Sequence, residues 1–330
     1  MKKIKIFHNK YYKLLVMSGV LWGFSPLIYK NSLLFFGFVS LLAIRFLVGA
    51  GIVYALSFRK FIKISKRHLV LIIIMSLTSS VASMFLYLSG LKLTSAMHAS
   101  IIGLSLPFFV YLLSVLILKE KVHRVVLIGS VLASAGLLVI IFGSNTNNGQ
   151  ASIAGDVLIL LSEVFFSIGV ILARKIVTGT KKLPPEQLAF ADYLLAGIVF
   201  AVAAFIVGNG SSMPTFTPIA ILWLLLVVTV GGFLPNILFL KSARRLPAEK
   251  LADTNFITPI VGIMLAVIFL NESMNVSFLI GGTLVFLGLT ISNKKLTPRL
   301  PVLTEEVKAI ELAFIHKSQA LERIIYNQYK

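Results

Sequence analysis

The chain has 330 residues, of which 58% are hydrophobic and 13% charged, a mean hydropathy of +0.95 and no cysteine. Such a composition excludes an ordinary soluble domain and belongs to a polytopic membrane protein, and without cysteine there is no disulfide, thiol chemistry or cysteine metal site. The formal net charge of +19 would suit a nucleic-acid partner, but 28 of the 31 Lys and Arg lie in alternate connections or the termini, so the basicity records topology instead.

The basic N-terminal tail (residues 1–12) runs without a cleavage site into a first apolar segment, Lys13–Tyr29, read as an uncleaved span. Further segments follow at Phe38–Phe58, His68–Leu88, Ser95–Leu118 and Arg124–Phe142, then a polar linker at 144–152. Beyond it come Ile153–Ala173, Gln187–Val207, Ile219–Leu240, Ala248–Leu270 and Val276–Ile291. Most reach the roughly 20 residues a helix needs to cross the hydrocarbon. The connections at 59–67, 119–124, 174–182 and 241–250 are basic, whereas the others hold only Lys30 and Lys92. Positive charge marks the inner side, which places both termini in the cytoplasm, in keeping with a bacterial inner membrane. From Leu296 the tail is different: Val307, Ile310, Phe314, Leu321 and Ile325 recur at helical spacing. That pattern fits either an amphipathic helix on the membrane face or a solvated one.

The fourth segment reappears in the ninth. At an ungapped offset of 152, Phe85–Leu137 shares 14 identities with the later stretch, among them Pro107 with Pro259, Glu120 with Glu272, Gly129 with Gly281 and Gly136 with Gly288. We read a duplication into residues 13–143 and 153–293. Five spans per half is an odd number, so the second half enters from the opposite side. The predicted fold is all-α: ten transmembrane helices as two inverted five-helix repeats, an architecture of secondary carriers with a site near the midplane.

Ionisable groups inside apolar spans are costly, so each is a candidate. Glu163 falls near the middle of the sixth segment, where it could hold a substrate amine, carry a proton or merely pack by hydrogen bonding. Arg45 and Asp192 align through IRFL and ADYL in the second and seventh segments; they either gate the path and meet a carboxylate, or anchor helix ends. Asp253, Thr254 and Asn255 open the ninth segment, and Asn236 follows Pro235 in the eighth. Pro26, Pro107, Pro235 and Pro259 are candidate breaks, each freeing a carbonyl one turn earlier. Trp22 lies mid-span and could join Tyr87, Tyr111 and Phe166 in an aromatic wall, or all four pack in the core. His98 reads as a satisfied interfacial histidine or a pH sensor. Gly19-x-x-x-Gly23, Gly231-Gly232 and Gly281-Gly282 permit close helix approach. Glu120 and Glu272 are assigned to the dipole of the helix that follows each.

Trp22-Gly23, Arg45-Phe46, Pro-x12-Glu ending the fourth and ninth segments, and Ala173-Arg174-Lys175 resemble the drug/metabolite transporter superfamily, EamA-type. The resemblance covers about Lys13–Asn293 and implies a ten-helix carrier with a central cavity lined by both halves, often an exporter of amino acids or related metabolites. Glu163 departs from that pattern, where a small residue is usual, and favours an amine-bearing substrate. The expected function is a secondary-active exporter or exchanger of a small polar metabolite working by alternating access. It needs a lipid bilayer and a small-molecule substrate, and no nucleic acid, metal or cofactor; proton coupling and a homodimer stay open. The alternatives are an intramembrane enzyme acting on lipid and a non-transporting scaffold or sensor. Against the enzyme, the chain contains no H-E-x-x-H, G-x-S-x-G or P-loop.

Overall fold

The structure, a computed structural model, describes residues 10–118, 124–143, 152–178, 183–207, 217–243 and 254–293. Glu120, Asp253, the linker up to residue 151 and the C-terminal tail lie outside these residues. Every regular element among the described residues is helical. This follows from the apolar runs, because a backbone in hydrocarbon must satisfy its own N–H and C=O groups.

The first apolar segment is broken into α1 (Lys10–Gly23) and α2 (Ser25–Ser32), with Pro26 in the first turn of α2. Next come α3 (Phe38–Ser57) and a long rod of α4 (Lys66–Ser76), a π-helical stretch Leu77–Ala82 and α5 (Ser83–Leu93). In the fourth segment α6 (Ala96–Ile102) passes through a 3₁₀ turn, Gly103–Ser105, into α7 (Leu106–Leu118). Then follow α8 (Arg124–Gly143), α9 (Ile153–Thr178) and α10 (Pro185–Val207). The eighth segment is α11 (Pro218–Val228), a second π-helical stretch Thr229–Phe233 and α12 (Leu234–Ala243). The last two are α13 (Thr254–Leu270) and α14 (Val276–Asn293). Among the described residues, seven helical stretches are long and apolar enough to cross a membrane, and Phe256–Leu270 and Val276–Ser292 are shorter apolar helices. Side chains such as Phe142, Phe205 and Ile206 stand exposed on the outside, as a lipid-facing surface requires.

Helices of one half pack on helices of the other. The α8–α14 and α3–α10 pairs are the most extensive, and α9 lies on α5 and α7 as α1 lies on α12 and α13. The α8–α14 seam shows how glycine permits this. A Cβ on Gly129 would strike the Gly288 carbonyl and one on Gly288 the Gly129 carbonyl; Gly136 and Gly281 are related in the same way. The two helices therefore cross antiparallel at backbone contact, a packing that needs residues without side chains. Gly19 and Gly23 form a similar seam on α13, against Ile257, Val261 and the Thr258 carbonyl.

Two expectations need correction here. Gly231-Gly232 is not a packing seam: nothing approaches a Cβ on Gly231 closer than 3.6 Å, and Gly232 (φ −121°, ψ −106°) is where the eighth rod breaks. Pro259 stays inside a continuous α13, whereas its counterpart Pro107 follows the 3₁₀ turn. Two π-helical stretches begin at Leu77 and Thr229, 152 residues apart, the offset of the sequence duplication.

Candidate functional site

Glu163 sits about 15 Å along α9, a helix of 26 residues. Its Oε1 lies 3.8 Å from where a Cβ of Gly103 would stand, so the carboxylate faces the 3₁₀ turn ahead of Pro107. In that turn Ser105 Oγ is buried without a partner. Among the described residues no side chain hydrogen-bonds the Glu163 carboxylate, and its charge acts on the hydroxyl of Tyr87. Tyr87 in turn packs edge-on against Tyr29, ring centroids 6.2 Å apart.

Arg45, on α3, reaches across to the broken eighth rod. Its Nη2 donates to the Gly231 carbonyl at 3.4 Å, and the same carbonyl accepts from Tyr29 Oη at 3.2 Å. The guanidinium stands over the rings of Tyr29 and Phe46, at 5.6 and 4.6 Å. Asp192, on α10, makes the matching approach to the π-helical stretch of the other rod: its Oδ2 accepts from Ser80 Oγ at 2.8 Å, and its main-chain carbonyl from Ser76 Oγ at 3.0 Å, while its Oδ1 is buried without a partner. Neither residue anchors a helix end, the plainer of the two readings offered by the sequence. Each is drawn inward by backbone or hydroxyl groups at a helix interruption, which can satisfy a charge where lipid cannot. Asn236 donates to Tyr193 Oη at 2.6 Å and to the Gly232 carbonyl at 3.1 Å, filling the break from within.

The aromatic wall is not assembled. Trp22 packs on Phe239 of α12 at 5.3 Å, Tyr87 on Tyr29, and Tyr111 lines a small cleft with Pro107 and Phe108 against α8 and α14, while Phe166 is exposed. Apolar helices offer many aromatic letters, and only the rotation of each helix decides which ones meet. Asn255 falls in the first turn of α13, and its side chain, like all of Asp253, lies outside what the structure describes.

A second polar cluster, at the end of the bundle where α2, α6, α9 and α13 converge, was missed. Asn271 adopts a left-handed conformation (φ 51°) that closes α13 and turns Glu272 back towards α6. Both carboxylate oxygens then accept from the N-terminal amides of α6, Ala96 N and Met97 N, at 2.8 Å each, while Ser95 Oγ accepts from His98 N. Glu272 thus caps α6, in the other half, and not the helix that follows it. Lys30 Nζ joins it at 2.9 Å and also donates to the Thr94 carbonyl. Beside this, Asp156 in the first turn of α9 hydrogen-bonds Thr94 Oγ1 and His98 Nδ1, the latter at 2.9 Å. His98 is buried and stacks on Phe278, so it is a core residue and not an interfacial one. The available signal was Lys30 itself, a cation in a connection otherwise kept free of charge.

Against known proteins, one family model matches twice, over residues 9–142 and 153–294: the EamA-like transporter family. The chain belongs to the EamA-like transporter family. This EamA-like transporter is similar to an uncharacterised transporter of Bacillus subtilis, YetK, at 24% identity over 80% of this chain and 81% of the relative. A probable amino-acid metabolite efflux pump of Escherichia coli is 25% identical over 59% of this chain and 66% of its own length. A crystal structure sharing 15% identity superposes with a TM-score of 0.62, covering 87% of this chain and 98% of the other, which shows a common fold. Membership makes the chain a multi-pass membrane transporter of small molecules and not an enzyme.

Proposed function

We propose that this EamA-like transporter is a secondary carrier, an exporter or exchanger of amino acids or related amine-bearing metabolites, working by alternating access. Ten spans form two five-helix repeats of opposite orientation, both termini face the cytoplasm of a bacterial cell, and the substrate amine is held at Glu163. The observation that carries this reading is the Glu163 carboxylate, set mid-helix against an interrupted neighbour with no protein partner among the described residues. A carboxylate left without a partner in a membrane interior is costly, and a cationic ligand offsets that cost when it binds.

The inverted arrangement draws support from the antiparallel α8–α14 crossing. Gly129 and Gly281 are repeat equivalents, as are Gly136 and Gly288, and the contacts pair Gly129 with Gly288 and Gly136 with Gly281. Such reciprocity is what a two-fold axis produces, residue i meeting j as j meets i. The two π-helical stretches at the same offset and the double family match point the same way. The name of the Escherichia coli relative agrees with an amino-acid substrate.

Thermal unfolding of the purified protein against amino acids, amines and nucleosides tests the reading. A ligand that binds the folded state raises stability by RT ln(1 + [L]/Kd), so an amine-bearing hit is expected at millimolar concentration. The shift should vanish in Glu163→Gln. A hit that persists in that variant would remove Glu163 from the site.

A further inference from the structure

The connection between α3 and α4 is held as a strap. Residues 61–65 run without helix between the 3₁₀ turn Phe58–Lys60 and Lys66, the first residue of α4, and Phe61 is extended (φ −75°, ψ 138°). Gln187, buried on α10, grips one residue of it twice: Gln187 Nε2 donates to the Ile62 carbonyl at 2.7 Å, and Gln187 Oε1 accepts from Ile62 N at 3.0 Å. Phe61 packs on Tyr54 of α3 and Phe190 of α10, with ring centroids 6.0 and 5.3 Å away, and Ile64 joins the cluster of Ile72, Met75 and Leu188. What the strap turns outward is therefore fixed. Phe58 and Ile62 are 45% and 50% exposed, and Arg59, Lys63 and Lys66 are exposed among them.

The charge of this segment is one-sided. Arg59, Lys60, Lys63, Lys66 and Arg67 fall within nine residues, and no Asp or Glu occurs before Glu120. On the packed helix the acidic residue beside Gln187 is Glu186, one carboxylate against five cations. The ion pairs among the described residues, Lys30–Glu272 and His98–Asp156, do not draw on the strap. Its depth is marked by Tyr54, which stacks on Phe58 at 5.5 Å and meets Phe190 at 5.3 Å; a tyrosine at the end of a span sits at the level of the headgroups. The bias of charge towards one side of a membrane accounts for cations in such a connection. It does not account for apolar side chains held outward among them. A water-soluble anion would meet the cations and leave Phe58 and Ile62 in water, whereas a phospholipid offers a phosphate to the first and an acyl chain to the second.

We infer that residues 58–66 form a docking surface for an anionic phospholipid, with Arg59, Lys63 and Lys66 on its phosphate and Phe58 and Ile62 against its glycerol and acyl region. The inference stands apart from the substrate and from Glu163. Because Gln187 ties the strap to α10, a lipid bound there bridges α3 and α4 of one half to a helix of the other. It binds the folded arrangement and so stabilises it.

The test is thermal unfolding of the purified full chain in neutral detergent, titrated with phosphatidylglycerol, with phosphatidylcholine of the same acyl chains, or with inorganic phosphate. A basic side chain near an anionic surface contributes about fivefold to affinity. The wild type should therefore reach a given rise in midpoint at about a tenth, or less, of the concentration with phosphatidylglycerol that it needs with phosphatidylcholine. Arg59→Gln/Lys63→Gln/Lys66→Gln should abolish that preference, each protein being compared with its own lipid-free midpoint. Lys175→Gln/Lys181→Gln/Lys182→Gln removes the same charge from another basic connection and should keep it. Equal stabilisation of the wild type by the two lipids overturns the inference, a result that needs no variant to fold. Equal loss in both triple variants shows a diffuse attraction to basic connections in general, and overturns it too. So does a rise with inorganic phosphate alone that matches the rise with phosphatidylglycerol, since the strap would then hold a free anion.

Discussion

Glu272 shows how much a single side chain can do and how little of that is written beside it in the chain. As the second member of a repeated Pro-x12-Glu motif it was visible, but its partners are 175 and 176 residues away, on the first turn of α6. A helix N-terminus presents amides with no intrahelical acceptor, and in an apolar bundle these must find one. Glu272→Ala strands two buried donors, at roughly 1–3 kcal/mol each, so a loss of about 2–6 kcal/mol is expected. The pair with Lys30 adds little, since that lysine is about a third exposed. Glu272→Gln keeps an acceptor and should lose less; thermal unfolding in detergent compares the two. If both variants match the wild type, the cap is not holding α6. Glu163, Arg45 and Asp192 were legible for a different reason: charge in hydrocarbon is rare enough to be read from the letters alone. What each one faces was not, because that depends on where the opposite helix breaks.

Those breaks belong to the scale of elements. Proline flagged four candidate interruptions, yet the α-helical pattern also gives way to π-helical stretches at Leu77–Ala82 and Thr229–Phe233. A π-turn needs one residue too many for the packing, and no residue type announces it. The pairs Ser79-Ser80 and Gly231-Gly232 were the faint signals. Glycine was more informative at the seams. Gly136 and Gly288 are repeat equivalents, and a Cβ on either would meet the carbonyl or amide of the facing helix. Gly136→Ala and Gly288→Ala should therefore force α8 and α14 apart to a similar extent, costing about 1–3 kcal/mol each. The midpoints of thermal unfolding should fall by comparable amounts. A large drop in one alone would mean that the two contacts are not equivalent, and the symmetry would lose its best support.

At the scale of the whole molecule, the helical class follows from composition and charge distribution, because a bilayer admits few ways to arrange apolar segments, whereas the family rests on the resemblance of particular motifs and on the double family match. The orientation can be tested directly, since the chain has no native cysteine. Leu34, in the turn between α2 and α3, and Ile62, between α3 and α4, are both exposed. In intact cells Leu34→Cys should react with a membrane-impermeant thiol reagent and Ile62→Cys only after permeabilisation. The reverse pattern would invert the topology. The central claim, an amine-binding carrier built around Glu163, is tested most directly by counterflow. Proteoliposomes loaded with an unlabelled amino acid that stabilises the protein are diluted into a trace of the labelled compound. The wild type should accumulate label transiently and Glu163→Gln should not. Equal counterflow by the two proteins would contradict the account, because the carboxylate would then have no part in carrying the substrate.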